Sequence, residues 1–334
     1  MLSDGKKQRI EYFDVAKGIL ILFLLLCHYR CTTSMLPGNF PSMDAFGSVQ
    51  YVVAAFFMQC FFFVSGYCTS VNKPWKTFLI NQVRQLFVPI LVFSAISTVL
   101  WNACPLAGWP YSLFIMDPIY WFLWALLLSK IIVVTLIKIC SRPRFYLSAS
   151  FLCMVIGVVL HQCNIGWNAC YYWHALGSCF VVAFGHFCRT HPAVYEKLRR
   201  SCAILYPWIM LSLSVFHLQV PVFDYGMNVY LTNIPKFLVI SLSGSLAFLY
   251  YSEFVGGWIK KVFVFYGVNS LTVYATHIFW LFLFVDYFMR VIQPDDFVSK
   301  AVFFFATYSC EIAVCTALIL LFRLKGVRWL LGRN

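Results

Sequence analysis

The sequence predicts an all-α, polytopic membrane protein with about ten transmembrane helices and both termini in the cytoplasm. Hydrophobic residues make up 62% of the 334 residues, and charged residues only 11%. Soluble domains are about half apolar and about a quarter charged. The composition therefore excludes an ordinary soluble enzyme, a disordered chain and a nucleic-acid-binding protein, and the net charge of +13 is expected to reflect membrane topology.

The individual spans follow from the length of the apolar runs. A helix that crosses a bilayer needs about 20 mainly apolar residues. No loop between the runs has room for a soluble domain, so residues 1–334 are expected to form one integral membrane domain. The first run continues from a charged start without a small-residue cleavage pattern, and we expect no cleavable signal peptide. The ten predicted spans cover approximately residues 16–36, 49–70, 78–101, 117–139, 147–161, 169–188, 203–219, 234–253, 262–289 and 299–323.

The basic residues indicate the orientation of these spans. With the N-terminus inside, the inner segments hold 20 of the 25 Lys and Arg residues. Such a bias follows the positive-inside rule. Only an even number of spans keeps basic inner segments and outer loops in alternation along the chain. The four outer loops around residues 37–48, 102–116, 162–168 and 220–232 hold no Lys or Arg, and Arg290 lies near the outer end of the ninth span.

The 14 cysteines give no metal or redox signal, because none forms a CxxC pair. Most lie in apolar runs, where cysteine behaves as a small hydrophobic residue. Cys104, Cys163 and Cys170 lie near predicted outer loops. Spacing alone leaves open whether any two of them form a disulfide.

Lys17 and His28 are the clearest polar residues in the first span. They are 11 residues apart, close to three helical turns and about 16 Å of rise, so both lie on one helix face. Arg30 lies at nearly the same depth as His28 but points elsewhere. Ionisable groups inside a span are costly and mark cavities or partners. The alternative is a lysine at a helix start and a structural histidine bonded to a neighbouring helix.

Two further segments place polar residues in the membrane. In the second span, Ser65 and Gly66 allow either close helix contact or backbone approach to a ligand. In the ninth span, Ser270, Tyr274 and His277 share one helical stripe, with Asn269 beside it. Hydrogen bonding between helices and a lined cavity explain that stripe equally well. A basic rim follows the second span and comprises Lys73, Lys76 and Arg84. It can bind either phosphate groups or anionic lipid, and anionic lipid is the favoured interpretation.

Several motifs, in order along most of the chain, resemble the acyltransferase-3 family of membrane O-acyltransferases. That family has a basic residue, ten residues and then histidine in its first span, which fits Lys17 and His28. Residues 12–18, Tyr-Phe-Asp-Val-Ala-Lys-Gly, look most like the fucose 4-O-acetylase branch. The chain departs from the second-span pattern at Gln59 and Cys60, where Pro-Leu is usual. The other similar stretches are Phe57–Tyr67, Arg84–Pro89, Tyr120–Leu126 and Gly267–His277.

The resemblance implies acetyl-CoA or another acyl-CoA as donor, and a hydroxyl of a surface or lipid-linked glycan as acceptor. It further implies a multi-pass protein of the inner (cytoplasmic) membrane, whose partners are the bilayer, the acyl-CoA and the glycan, with no metal and no nucleic acid. Such an enzyme needs a base near the hydroxyl and positive charge near the thioester oxygen.

The residues can be assigned to these roles as hypotheses. His28 is the base, directly or through an acyl-histidine, and Arg30 or His277 stabilises the oxyanion or orients His28. Lys17 contacts the phosphates or the pantetheine arm of CoA. Residues assigned to CoA binding are Lys17, Ser65, Gly66, Tyr67, Lys73, Lys76 and Arg84. Residues assigned to the acceptor are Trp121, Trp124, Asn269, Ser270 and Tyr274, the two tryptophans being equally typical of an interfacial aromatic belt.

Two other functions remain open at this point. A multi-span transporter of a small metabolite or glycan precursor also suits ten spans with intramembrane charges, although we see no internal repeat of the kind many transporters contain. An acyltransferase acting on a small-molecule acceptor fits the same motifs. The sequence does not determine the oligomeric state, and a homo-oligomer is one of the alternatives left open.

Overall fold

The computed structural model describes a helical protein and contains no strand within the described ranges. Side chains of residues 30–34 and 101–103 in helix ends, and of Arg328 and Trp329, lie outside the description. The described residues are 10–34, 52–103, 120–164, 171–216, 218–221, 229–324 and 327–331.

Twelve α-helices form the described part of the bundle, and their starts follow local sequence signals. Proline lies in the first turn of α6, α8 and α9, where its missing N–H has no helical partner to lose. The last helix begins at a capping box in which the Asp296 side chain accepts from the Ser299 backbone N–H at 2.9 Å. The helices are α1 (Glu11–Ser34), α2 (Phe57–Cys68), α3 (Trp75–Gln82), α4 (Val88–Ala103), α5 (Trp121–Ile139), α6 (Pro143–Gln162), α7 (Tyr172–Thr190), α8 (Pro192–Val215), α9 (Ile234–Ser252), α10 (Gly257–Val268), α11 (Ser270–Ile292) and α12 (Phe297–Leu321).

The helical, membrane-spanning class predicted from the sequence is confirmed. Seven helices in the described ranges are long and apolar enough to cross a bilayer, and the segment Val52–Cys68 is apolar but shorter. The expected spans 169–188 and 203–219 coincide with α7 and α8, which fall outside those seven. Histidines in α7 and a run of charges at the start of α8 lower their apolar content. Ten spans therefore remains a prediction.

The third expected span is continuous but irregular. Between α3 and α4 the chain forms a π-helical turn at Val83–Phe87. Pro89 follows it and has no N–H to donate one turn back, which weakens the regular helical ladder at this point. π-helical turns of this kind recur at functional sites, and Leu86 in this turn lines the cavity described below.

The ninth expected span, 262–289, is broken into α10 and α11 at Asn269. The Asn269 side chain donates to the Phe265 carbonyl at 2.7 Å. The backbone carbonyl of Asn269 accepts from the Thr272 N–H at 2.9 Å. These bonds satisfy part of the backbone at the break, as helices in lipid require. Asn269 itself is non-helical, with φ −106° and ψ 17°.

The broken helix runs beside α1 in the same direction. An ion pair joins Glu11 to Lys260 at 2.7 Å near the start of both segments. A hydrogen bond joins His28 to His277 at 2.6 Å near the other end. Helix α12 then returns antiparallel, since the Tyr308 hydroxyl donates to the Leu22 carbonyl at 3.1 Å.

Glycines set the close approach of two helix pairs. A Cβ on Gly18 would lie 1.9 Å from the Phe263 carbonyl oxygen, and one on Gly267 would lie 1.8 Å from that of Asp14. These two positions lock α1 against α10. Gly66 and Gly185 do the same between α2 and α7, so the Gly66 of the second-span motif makes a helix contact.

A buried arginine joins three helices at the Lys17 end of the bundle. The Arg199 guanidinium lies over the rings of Tyr12, Tyr195 and Tyr250, at 5.1, 5.7 and 5.6 Å from their centroids. It also forms an ion pair of 2.6 Å with Glu253 on α9. Charge and aromatic faces together hold α1, α8 and α9 in register.

Gly267→Ala should destabilise the folded protein, because its new methyl group would overlap the Asp14 carbonyl and push α10 away from α1. Overpacking of this kind costs about 1–3 kcal/mol and sometimes more. A thermal-denaturation measurement on the detergent-solubilised protein should therefore show a lower Tm.

Gly256→Ala is the matched control for that variant. Nothing lies within 4 Å of a Cβ at Gly256, so its Tm should stay near that of the unmodified protein. Equal Tm values for the Gly267 and Gly256 variants would contradict the close α1–α10 contact.

Candidate active site

A pair of histidines from two distant parts of the chain forms the centre of the candidate site. His28 lies on α1 and His277 on α11, and their Nδ1 and Nε2 atoms are 2.6 Å apart. The ring centroids are 4.9 Å apart and the planes are inclined by 10°. That centroid distance is about the N–N distance plus the two ring radii, so the hydrogen bond lies in the plane of both rings.

The break at Asn269 explains how His277 reaches His28. Helix α11 starts at Ser270 and carries His277 two turns later. Tyr120 fixes this part of α11, because its single hydroxyl proton is shared between the Ala275 carbonyl at 3.1 Å and the Phe93 carbonyl at 3.2 Å. The imidazole of His277 is fully buried, whereas His28 is partly exposed.

A cavity of about 240 Å³ lies between the start of α1 and the helical turn that precedes the histidine pair, and neither histidine is among its lining residues. Leu24 and Tyr274, each about one turn before a histidine of the pair, line it, and Lys17 lies at the opposite end. The walls are mainly apolar. The lining residues are Lys17, Ile21, Leu24, Phe57, Met58, Phe61, Val64, Ser65, Cys68, Leu86, Phe122, Leu123, Leu126, Ser270, Leu271 and Tyr274.

Lys17 has an acidic partner that the sequence analysis missed. Its Nζ lies 2.8 Å from Asp14 Oδ1, and the side chains are 26% and 7% exposed. The partner lies three residues earlier on the same helix, so the i, i+3 spacing was the available signal. Since Asp14 is nearly buried, it anchors the ammonium group where Lys17 lines the cavity.

The Ser65–Tyr67 segment splits between the cavity and the helix interface. Ser65 lines the cavity, together with Cys68 one turn later. Gly66 instead packs against the Val182 carbonyl. The ring of Tyr67 packs on Phe13 at 5.0 Å, so of the three only Ser65 is among the lining residues.

The basic residues that follow α2 lie outside the cavity. Lys73, Lys76 and Arg84 are exposed. The Lys138 ammonium donates to the Lys73 carbonyl at 3.0 Å and so joins the loop before α3 to the end of α5. Their exposure is compatible with contact to a ligand or to lipid headgroups.

The residues assigned to the acceptor are mostly buried. Trp121 is 9% and Trp124 6% exposed; Trp121 packs on His174 at 5.0 Å and Trp124 on Phe87 at 5.7 Å. Neither tryptophan offers an open ring face in this structure. Ser270 and Tyr274 line the cavity, whereas Asn269 is buried at the helix break.

Some expected residues lie outside the described part of the chain, including the side chain of Arg30 and the whole of Cys104 and Cys170. Cys163 is exposed and is a free thiol. Of the acidic residues in apolar runs, Asp286 pairs with Arg290 at 2.9 Å. Glu311 is fully buried, and neither of its oxygens has a hydrogen-bond partner in the described part.

The cavity walls are the main feature that the sequence analysis did not identify. Phe57, Phe61, Leu123 and Leu126 line the cavity, but one sequence cannot distinguish an apolar wall from an apolar core or a lipid-facing surface. Tyr120 was noted only as part of a motif.

Comparison with known proteins identifies the family of the chain. The family model of the acyltransferase domain, Acyl_transf_3, matches residues 10–321. No curated protein and no solved structure matches the chain. The family match covers α1 to α12, including both histidines and the whole cavity, and it favours acyl transfer over the transporter alternative. The chain therefore belongs to the acyltransferase-3 family and is a multi-pass membrane acyltransferase.

Proposed function

We propose that the protein moves an acetyl group from acetyl-CoA to a hydroxyl of a surface or lipid-linked glycan. The observation that carries this proposal is His28, one helical turn beyond a cavity whose opposite end holds Lys17. Transfer from a phosphate-bearing thioester needs a base at the reacting hydroxyl and cationic groups for the donor. Lys17 lines the cavity, and His28 lies one helical turn beyond Leu24 at its other end.

The cavity suits the flexible arm of a coenzyme A thioester. Helix α1 rises about 16 Å between Lys17 and His28, and the walls between them are mainly apolar, with hydroxyls from Ser65, Ser270 and Tyr274. Those hydroxyls can bond the amides of the arm. The phosphates would remain at the Lys17 end of the cavity.

The proposed donor implies which membrane holds the protein and how the protein is oriented in it. Acetyl-CoA is a cytoplasmic metabolite, so the Lys17 end faces the cytoplasm and the protein lies in the cytoplasmic (inner) membrane. The basic residues predicted for the inner side support this orientation. The histidine pair then lies toward the outer side, from which a glycan acceptor would approach.

The proposed step is a direct acyl transfer. The acceptor oxygen attacks the thioester carbonyl carbon while His28 takes the hydroxyl proton. The C–S bond breaks, the new ester forms, and the thiolate leaves with the proton returned from His28. No proton is gained or lost overall, so the pathway requires only one group that accepts and then releases a proton.

His28→Ala should abolish acetyl transfer, with a loss of at least about 10²-fold in kcat, the usual contribution of a general base. Release of free CoA thiol and transfer of labelled acetyl groups in membrane vesicles measure it. His186→Ala is the matched control, because His186 is another buried histidine outside the cavity lining. Retained transfer in the His28 variant, at equal membrane abundance, would refute the assignment.

Lys17→Met should raise the KM for acetyl-CoA with little change in kcat, because the ammonium group would contact the donor and not the reacting atoms. With S-acetylpantetheine, which has no phosphate, the variant and the unmodified enzyme should show similar KM values. Steady-state kinetics with both donors separates a phosphate contact from a general packing defect.

Lys261→Met serves as the control for charge alone, since Lys261 is exposed on α10 and does not line the cavity. Its KM should stay unchanged with either donor. An unaltered KM for acetyl-CoA in the Lys17 variant would contradict the donor-binding role.

The acceptor class is tested by the loss of a modification. Mass spectrometry of the surface polysaccharide should show an acetyl mass on glycan from cells with the protein and none from cells with His28→Ala. Glycans of identical mass from both cells would count against a glycan acceptor and favour a small molecule.

A further inference from the structure

We propose that His277 is a positioning residue that holds His28 in the tautomer with its lone pair on Nε2. The inference rests on the proposed function, in which His28 removes the hydroxyl proton. It assigns the base to one atom of His28 and gives a defined task to a residue 249 positions away in the sequence.

The backbone of α11 determines which nitrogen of His277 carries the proton. Its Nδ1 lies 3.0 Å from the Val273 carbonyl oxygen and 3.0 Å from that of Tyr274. Carbonyl oxygens can only accept, so Nδ1 must be the donor. In a neutral ring, Nε2 then carries the lone pair.

That lone pair fixes the tautomer of His28. His277 Nε2 is 2.6 Å from His28 Nδ1, and a bond of this length needs one proton between the two atoms. Since His277 accepts, His28 Nδ1 donates. The in-plane alignment of the rings is the geometry in which an imidazole N–H and lone pair meet.

Any other placement of the two protons on His28 and His277 brings two hydrogen-bond acceptors into contact. If His28 carried its proton on Nε2, its Nδ1 lone pair would face the lone pair of His277. If His277 carried its proton on Nε2 instead, its Nδ1 lone pair would face the two carbonyl oxygens. Each case places two acceptors in contact inside a buried site, which costs free energy.

The remaining nitrogen of His28 is therefore the one that can take a proton. His28 Nε2 forms no hydrogen bond with any described residue, and His28 is partly exposed while His277 is fully buried. When Nε2 accepts the hydroxyl proton, the Nδ1–H of the resulting imidazolium still donates to His277. The bond thus orients the base and keeps an acceptor for its Nδ1–H, which is the orienting part of the role that the aspartate has in a Ser-His-Asp triad.

Two substitutions separate this role from simple packing. His277→Phe keeps an aromatic ring of similar shape but removes the acceptor; His277→Gln loses the ring but supplies a carbonyl oxygen. The Phe variant should lose about 10- to 100-fold in kcat, the usual effect of removing a group that orients a functional histidine, with the KM for acetyl-CoA little changed. The Gln variant should recover part of that loss. A purely packing role predicts the reverse order.

Nitrogen NMR of histidine-labelled protein reads the tautomer without any turnover. The His28 signals are assigned by their loss in the His28→Ala protein. In the unmodified protein, His28 should show an unprotonated Nε2 and a protonated Nδ1. In the His277→Phe protein, this preference should weaken and the Nε2–H form should appear.

The outcomes distinguish this inference from the proposed function. A protonated Nε2 on neutral His28 in the unmodified protein, or an unchanged kcat in His277→Phe, would overturn the inference even if His28→Ala is inactive. Full activity in His28→Ala would instead overturn the proposed function.

Discussion

The close approach of α1 and α10 at Gly18 and Gly267 is the contact on which the site depends. A Cβ on Gly18 or on Gly267 would lie 1.9 or 1.8 Å from a carbonyl oxygen of the other helix. Neither glycine can therefore be replaced without separating the helices. This contact fixes α10 immediately before the break at Asn269. Helix α11 then starts beside Lys17 and continues along α1 until His277 meets His28. A displacement of one helix would separate the two rings, because a hydrogen bond tolerates only a few tenths of an ångström.

The membrane makes each buried polar group in this site informative. In lipid, a polar group without a partner costs several kcal/mol, and the chain pairs most of those that lie near the cavity. Lys17 has Asp14, His277 has two carbonyls and His28, and Tyr120 bonds α4 and α11. His28 Nε2 has no partner among the described residues, and under the proposed function this nitrogen receives the hydroxyl proton. The hydroxyls of Ser65, Ser270 and Tyr274 interrupt a mainly apolar cavity wall.

Local sequence patterns predict much of this site, because they act within one helix. The spacing of Lys17 and His28 puts both on one face of α1, and the i, i+4 and i+3 spacings group Ser270, Tyr274 and His277 on α11. The helical membrane class and the family likewise follow from composition and motifs. Local spacing does not predict the pairing of His28 with His277, since no local rule joins residues that far apart; from the sequence alone, His277 was only an alternative to Arg30. The break at Asn269 was also missed: an apolar run predicts a continuous span, and a single asparagine does not reveal that its side chain bonds the backbone of the previous turn.

Gly66 illustrates a second limit. Its neighbours in the motif suggested a surface for the donor, and only the three-dimensional contact with Val182 distinguishes helix packing from ligand binding. The exposed Lys73 and Lys76 and the buried Trp121 likewise needed burial information, because a basic rim or an aromatic pair has the same sequence pattern in either environment.

The most direct measurement is an electron cryomicroscopy structure of the protein with a non-hydrolysable acetyl-CoA analogue in which a methylene group replaces the sulfur of the thioester. The expected result is density for the arm along the cavity, with the phosphates at the Lys17 end and the carbonyl carbon beside His28 Nε2. Density for the analogue outside the cavity, or with its acyl end remote from His28, would contradict acyl transfer at the histidine pair.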